Sequence, residues 1–180
     1  MAKHEQVIVA GFGGQGVMLM GQMLAYAATN EGLNTVWIPS YGPETRGGTA
    51  NCSVAISDSM INSPVVTKPD SVIAMNLPSL QKFEPKLSKD GLLIVNVAAI
   101  KDYDYRDDVR VITIDANKEA LALGNLRVAN MIMLGAYIQA TGIFDKEAIV
   151  AVFKKSFTGD KARLVDINIK ALETGMKIVD

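Results

Sequence analysis

Cysteine and histidine are nearly missing from this sequence: among 180 residues there is one of each, Cys52 and His4. A lone cysteine closes no internal disulfide, which fits a reducing compartment. It cannot supply the four thiolates that hold an iron–sulfur cluster, and one Cys with one His does not make a zinc site. No metal site is therefore expected. His4 lies in a polar amino-terminal stretch, so a Ser-His-Asp or Cys-His engine has no suitable base. An excess of either charge is missing too, since 18 basic against 19 acidic residues leave a formal charge of −1. Nucleic-acid binding needs a basic surface to neutralise phosphates, so no nucleic-acid partner is expected. No apolar stretch reaches the ~18 residues of a membrane span, and the opening MAKHEQ is unlike a signal peptide. The expected setting is the cytoplasm, away from a membrane.

What is present is apolar and patterned. Hydrophobic residues make up 49% of the chain, enough for a globular core, and the length predicts a single domain over 1–180. Residues 6–10 read as a buried strand, followed by glycines and a helix from about 16 to 31 that Gly32 ends. A second strand spans 35–38 and stops at Pro39. Residues 51–56 alternate like a half-buried strand, and 71–75, 91–97 and 109–115 read as buried strands. A short helix falls near 79–86. From about Ala116 the chain turns helical, with runs at 128–140, 145–156 and 162–177. Strands alternating with helices predict an α/β fold, a doubly wound and mainly parallel sheet covered on both faces. The stretch from about 39 to 70 breaks that rhythm with two strand-like pieces and no helix. It predicts a small β insertion, a hairpin extending one edge, and the chain ends in a helical C-terminal third.

The stretch VIVAGFGGQGVMLMGQ, residues 7–22, carries the first motif. Gly11, Gly13 and Gly16 match G-x-G-x-x-G between a strand and a helix, where a diphosphate can meet the helix amino end. Gly14 and Gln15 complete the turn. A nicotinamide site of this type also needs an acid about 20 residues on, at the tip of the second strand, to hold the ribose. Here stand Val36, Trp37, Ile38, Pro39 and Ser40, with no acid and no arginine. The glycines either hold a ligand or only permit a tight strand-to-helix crossing. The Gln15 amide suits a hydrogen bond to a ligand or to a neighbouring chain. In the following helix, Val17, Met20, Leu24 and Ala28 form one apolar stripe. Leu19, Met23 and Tyr26 form another, which is either buried or covered by a partner.

The second motif is SYGPETRGGTANCSV, residues 40–54. Arg46, set between Pro43 and the Gly47-Gly48 pair, can offer a planar fork to a phosphate or carboxylate. The alternative is an Arg46–Glu44 contact or a solvated loop. Thr45 and Thr49 are possible hydroxyl donors, and Cys52 reads as a small core residue.

GFGGQGV followed by YGPETRGGTANCSV resembles the gamma subunit of the 2-oxoacid:acceptor (ferredoxin) oxidoreductases, and VTKPDSVIAMN, residues 66–76, is similar to that family as well. The RGGTA form of the loop is closer to the 2-oxoglutarate or branched-chain members than to the pyruvate ones. The resemblance implies a Rossmann-like subunit of a complex that turns a 2-oxoacid and coenzyme A into an acyl-CoA and carbon dioxide, with electrons passing to ferredoxin. It implies thiamine diphosphate, Mg2+ and iron–sulfur clusters on partner chains: thiamine-binding alpha and beta subunits and a ferredoxin-like subunit or domain. No cofactor is implied on this chain alone, and no catalytic residue. Gly11, Gly13, Gly14, Gln15, Gly16, Thr45, Arg46, Gly47 and Gly48 become candidates for the coenzyme A diphosphate or the subunit seam. Two other functions stay open, a free-standing NAD(P)- or flavin-binding oxidoreductase and a scaffolding or nucleotide-sensing protein.

Overall fold

The computed structural model describes residues 3–42 and 49–179. Among them one sheet contains six strands: β1 (His4–Phe12), β2 (Asn34–Tyr41), β3 (Thr49–Ser57), β4 (Ser71–Ala74), β5 (Leu92–Asn96) and β6 (Arg110–Ile114). The strands lie in the order β2-β3-β1-β4-β5-β6. From β1 to β6 each pairing is parallel, while β3 runs antiparallel to both β1 and β2. The helices are α1 (Val17–Asn30), α2 (Leu77–Phe83), α3 (Ala116–Ala122), α4 (Ala129–Thr141), α5 (Lys146–Ser156) and α6 (Val165–Val179).

Successive side chains of β1 point to opposite faces, and each face has its own core. Val7 and Val9 join Val54, Ile73 and Ile94 under α1, α4 and α5, with Met20, Leu24, Met131, Tyr137 and Phe153. Ile8 and Ala10 join Val72, Ala74, Leu93 and Val95 under Leu80, Phe83 and Leu87. Strands buried on both faces read as continuous apolar runs, which is why SVIA and LLIVN show no alternation. The second face is thin and is closed by a polar clamp. The buried Glu84 carboxylate accepts from the Tyr103 hydroxyl at 2.5 Å and the Arg106 backbone N–H at 2.9 Å. Arg106 Nη1 donates in turn to the carbonyls of Glu84 and Leu87.

The predicted doubly wound, mainly parallel sheet with a helical C-terminal third is the observed fold. Its insertion is one strand, β3, which wedges between β2 and β1, while residues 58–70 carry no strand. Pro39 does not end β2, which continues to Tyr41 with Pro39 paired across from Cys52. β2 is an edge strand, and a proline without an N–H is tolerated where no outer neighbour needs that donor.

Most of the second apolar set of α1 is taken up by this chain's own core: Met23 is buried in it and Leu19 packs half-buried against it, while Tyr26 stays exposed beside α5. α4 is buried from Ala129 to Ile138 and crosses α6 at close range. A Cβ on Gly135 would strike the Leu172 carbonyl, and one on Gly175 the Ile132 carbonyl, so the helices touch backbone to backbone.

Candidate functional site

Four residues separate the end of β1 from the start of α1, and most of them are tied down from within. A Cβ on Gly11 would lie 2.9 Å from both Val17 Cγ1 and Met75 Cβ, so this glycine serves packing. Gly16 caps α1 at φ 76°, and a side chain there would collide with the Asn130 amide. Gly14, at φ 95°, also needs the left-handed backbone that glycine adopts without strain. Gln15 Oε1 accepts from the Phe12 N–H at 2.7 Å and from Asn76 Nδ2 at 2.9 Å, while its Nε2 donates to the Met75 carbonyl at 3.3 Å. The amide of Gln15 thus buckles the turn to the end of β4.

Gly13 differs from its neighbours. It is exposed, its φ is outside the left-handed region, and a Cβ on it would meet nothing within 4 Å. Nothing inside the described chain requires a glycine at this position.

The turn separates two clefts at the carboxyl end of the sheet. One, of about 490 Å³, opens beyond the ends of β1 and β4, where the chain order reverses and open α/β sheets bind ligands. Gly14, Gln15 and Met75 form one side of it, and Asn117, Asn125, Arg127 and Asn130 the other. The second cleft, of about 370 Å³, lies on the other flank of the turn. Phe12, Gly13, Met18, Leu19 and Tyr41 line it, and it is mostly apolar. Thr49 pairs with Phe12 in the sheet register, and the Gly42 N–H donates to the Thr49 carbonyl at 2.8 Å. The two flanks of the second motif are therefore brought beside the glycine turn. Thr45, Arg46, Gly47 and Gly48 themselves lie outside the described residues.

The missing ribose acid has a topological reason. A dinucleotide fold of the expected kind sets its acidic residue on the strand beside β1. Here β3 occupies that place and runs the other way, leaving the carboxyl end of β2 one strand farther off.

The residues that sequence reasoning passed over are Asn117, Asn125, Arg127 and Asn130. Three of them stand in GNLRVAN, residues 124–130, where two asparagines and an arginine sit between a glycine and a helical run. Asn125 Oδ1 accepts from the Arg127 backbone N–H at 3.0 Å and so shapes the turn that presents the arginine.

Cys52, buried behind the apolar cleft, and Glu5, at the end of the sheet opposite its carboxyl end, both have displaced protonation. Burial pushes the Cys52 thiol up to about 11, and its Sγ sits 3.4 Å from the Val17 carbonyl, as a small core residue would. Burial also raises the Glu5 carboxyl, although Ser71 Oγ at 2.5 Å and the Tyr137 hydroxyl at 3.1 Å both donate to it. Glu5 lies toward the amino end of β1, opposite the glycine turn, and lines a separate hollow with Asp70 and Arg110.

The pyruvate ferredoxin/flavodoxin oxidoreductase family matches residues 6–178. The ketoisovalerate oxidoreductase subunit VorA of Methanothermobacter marburgensis is 42% identical over 175 residues, covering 96% of this chain and 36% of that protein. This chain thus spans about a third of the length of that relative. The 2-oxoglutarate synthase subunit KorC of Methanothermobacter thermautotrophicus is 36% identical over 184 residues, covering 98% of this chain and 95% of the relative. Among solved structures, the gamma subunit of keto/oxoacid ferredoxin oxidoreductase from Geobacter sulfurreducens matches with a TM-score of 0.82 at 28% identity. That match covers 97% of this chain and 98% of the other.

Proposed function

This chain belongs to the pyruvate ferredoxin/flavodoxin oxidoreductase family, and from that premise we propose that it is the gamma subunit of a cytoplasmic 2-oxoacid:ferredoxin oxidoreductase. The complex would cleave a 2-oxoacid oxidatively with coenzyme A, releasing an acyl-CoA and carbon dioxide and passing two electrons to ferredoxin. The oxoacid is 2-oxoglutarate or a branched-chain acid, in keeping with the names of the relatives. The chain acts as one gamma-type domain over residues 1–180.

The donor set supports a division of labour. Iron–sulfur clusters need several thiolates, and the one thiol here is buried and held protonated. The clusters would then sit on partner chains, and the family resemblance implies the same for thiamine diphosphate and its Mg2+, held by thiamine-binding alpha and beta subunits beside a ferredoxin-like subunit or domain. What this chain contributes is the wall of a cleft beside the glycine turn, with Thr45, Arg46, Gly47 and Gly48 as further candidate contacts.

The observation that carries the reading is Gly13. A glycine that its own chain does not need, exposed where β1 meets α1, leaves room for something from outside to approach the backbone. A phosphate of coenzyme A and a partner's backbone both fit that description.

The test is assembly of the chain with its thiamine-binding partners, followed by assay of oxoacid- and coenzyme A-dependent ferredoxin reduction. Activity that needs this chain supports the reading. An isolated chain that binds NAD(P) or a flavin by calorimetry and turns over substrate alone overturns it.

A further inference from the structure

The two edges of the sheet are unlike. β6, at one edge, has five residues, begins with the exposed Arg110 and is flanked by Asp107, Asp108 and Asp115. Short strands and charged side chains are devices by which soluble proteins keep an edge from pairing. β2, at the other edge, has eight residues, and the chain from Gly32 to Pro43 carries no charged side chain. Ile38 is 36% exposed there and Tyr41 72%. Pro39 is the one blunting device on this edge.

The register of the sheet shows which backbone groups of β2 point outward. The Gly42 N–H donates to the Thr49 carbonyl, in line with the β2–β3 register, and the Asp58 N–H donates to the Lys3 carbonyl, in line with the β1–β3 register. Bonded and non-bonded pairs alternate along an antiparallel ladder, so Asn34, Val36, Ile38 and Ser40 bond to β3. Thr35, Trp37, Pro39 and Tyr41 turn their backbone groups to the outside, and Pro39 leaves one donor out of that row. Side chains alternate as well. Trp37 packs against the core under α1, so Val36 and Ile38 face the other side of the sheet, where α2 lies over β1 and β4.

We propose that β2 pairs antiparallel with β2 of a second copy of this chain, across a two-fold axis at Ile38, so that two sheets join edge to edge. A second copy is the occupant because the strand complements itself. In this register Thr35 of one copy stands opposite Tyr41 of the other, and the two exchange both backbone bonds. The Trp37 N–H donates to the Pro39 carbonyl of the other copy, and the proline withholds only the bond to the Trp37 carbonyl. Ile38 meets Ile38 of the second copy as a directly opposed, non-bonded pair, with Val36 opposite Ser40 on either side. No like charges meet, as a two-fold interface between identical strands requires. The pairing does not depend on the functional reading above, since it draws only on the edge of the sheet.

The test uses the full chain, whose one native thiol, Cys52, is fully buried and does not compete. Sedimentation should show a dimer for the wild type. I38K sets like charges opposite each other at the axis and should weaken the dimer about tenfold or more, with an unchanged circular dichroism spectrum. The Cα atoms of a non-bonded antiparallel pair lie ~4.5 Å apart, within disulfide reach, so I38C should close into a covalent dimer under a mild oxidant. S40C, displaced from its own copy by about 13 Å along the strands, should not. A wild type that stays monomeric at about 100 μM overturns the proposal, as does a dimer that I38K leaves intact. Equal cross-linking of I38C and S40C overturns the register and the proposal with it. Cross-linking of I38C only to a different subunit, in the assembled complex, also overturns it and gives the edge to a strand of that subunit.

Discussion

Asn130, at the start of α4, donates through its Nδ2 to the carbonyl of Gly16 at 3.3 Å, across 114 residues of sequence. This bond fixes the amino end of one buried helix against the amino end of another. It also explains Gly16, because any side chain there would take the space of the amide. The bond thus joins a residue of one cleft wall, Asn130, to a residue of the other, Gly16. N130A removes one hydrogen bond and leaves a small cavity, and should destabilise the full chain by about 1 to 2 kcal/mol. Urea unfolding measures this, and a loss below the error of the fit would show that the bond contributes nothing.

Gly13 separates internal from external demand. G13A should leave the full chain within about 0.5 kcal/mol of wild type, because its Cβ enters open space. G11A should cost much more, since its Cβ meets Met75 and Val17 at 2.9 Å. In the assembled enzyme the bulkier G13V should raise the KM for coenzyme A or weaken subunit association. Wild-type kinetics and wild-type assembly for G13V would mean that nothing approaches the turn.

The α4–α6 crossing should tolerate almost nothing. G135V places a side chain into the Leu172 backbone and should cost more than about 3 kcal/mol, enough to lose most soluble protein. A G135V chain with a normal melting temperature would show that the helices can part.

Glu5 makes stability depend on pH. Burial raises its carboxyl above the ordinary glutamate range, so the folded chain holds that proton more tightly than the unfolded chain. Its stabilising contribution is complete below the unfolded-state value and is lost as pH rises through the folded-state value. E5Q keeps an oxygen to accept from Ser71 and Tyr137 but carries no charge. Its urea midpoint should gain on the wild type as pH rises above the ordinary glutamate range, and a difference that stays constant with pH would rule this out.

Cys52 should be silent in the native chain. Its thiol is fully buried and pushed up to about 11, so a thiol-reactive dye should label it only after denaturation. Fast labelling at neutral pH without denaturant would contradict the packing of β3 against α1.

Local signals carried much of the fold. A strand entering GFGGQG and a helix leaving it is a matter of neighbouring residues, and so are the apolar runs of β4 and β5. The absence of an acid after β2 was equally plain in the sequence, although its cause was not. The place of β3 between β1 and β2 depends on pairing across the sheet, which no local pattern encodes. The same holds for Pro39, whose tolerance depends on β2 being an edge.

By itself the sequence determined the α/β class, the glycine turn, the lack of thiolates for a cluster and the family resemblance, because each is written in adjacent residues or in composition. Only the tertiary structure decided that Gln15 braces the turn, that Met23 is buried in this chain's own core, and that Arg127 stands across a cleft from Gly14. Those are contacts between distant segments, set by how strands and helices pack, and a linear pattern holds no record of which far residue will arrive beside which.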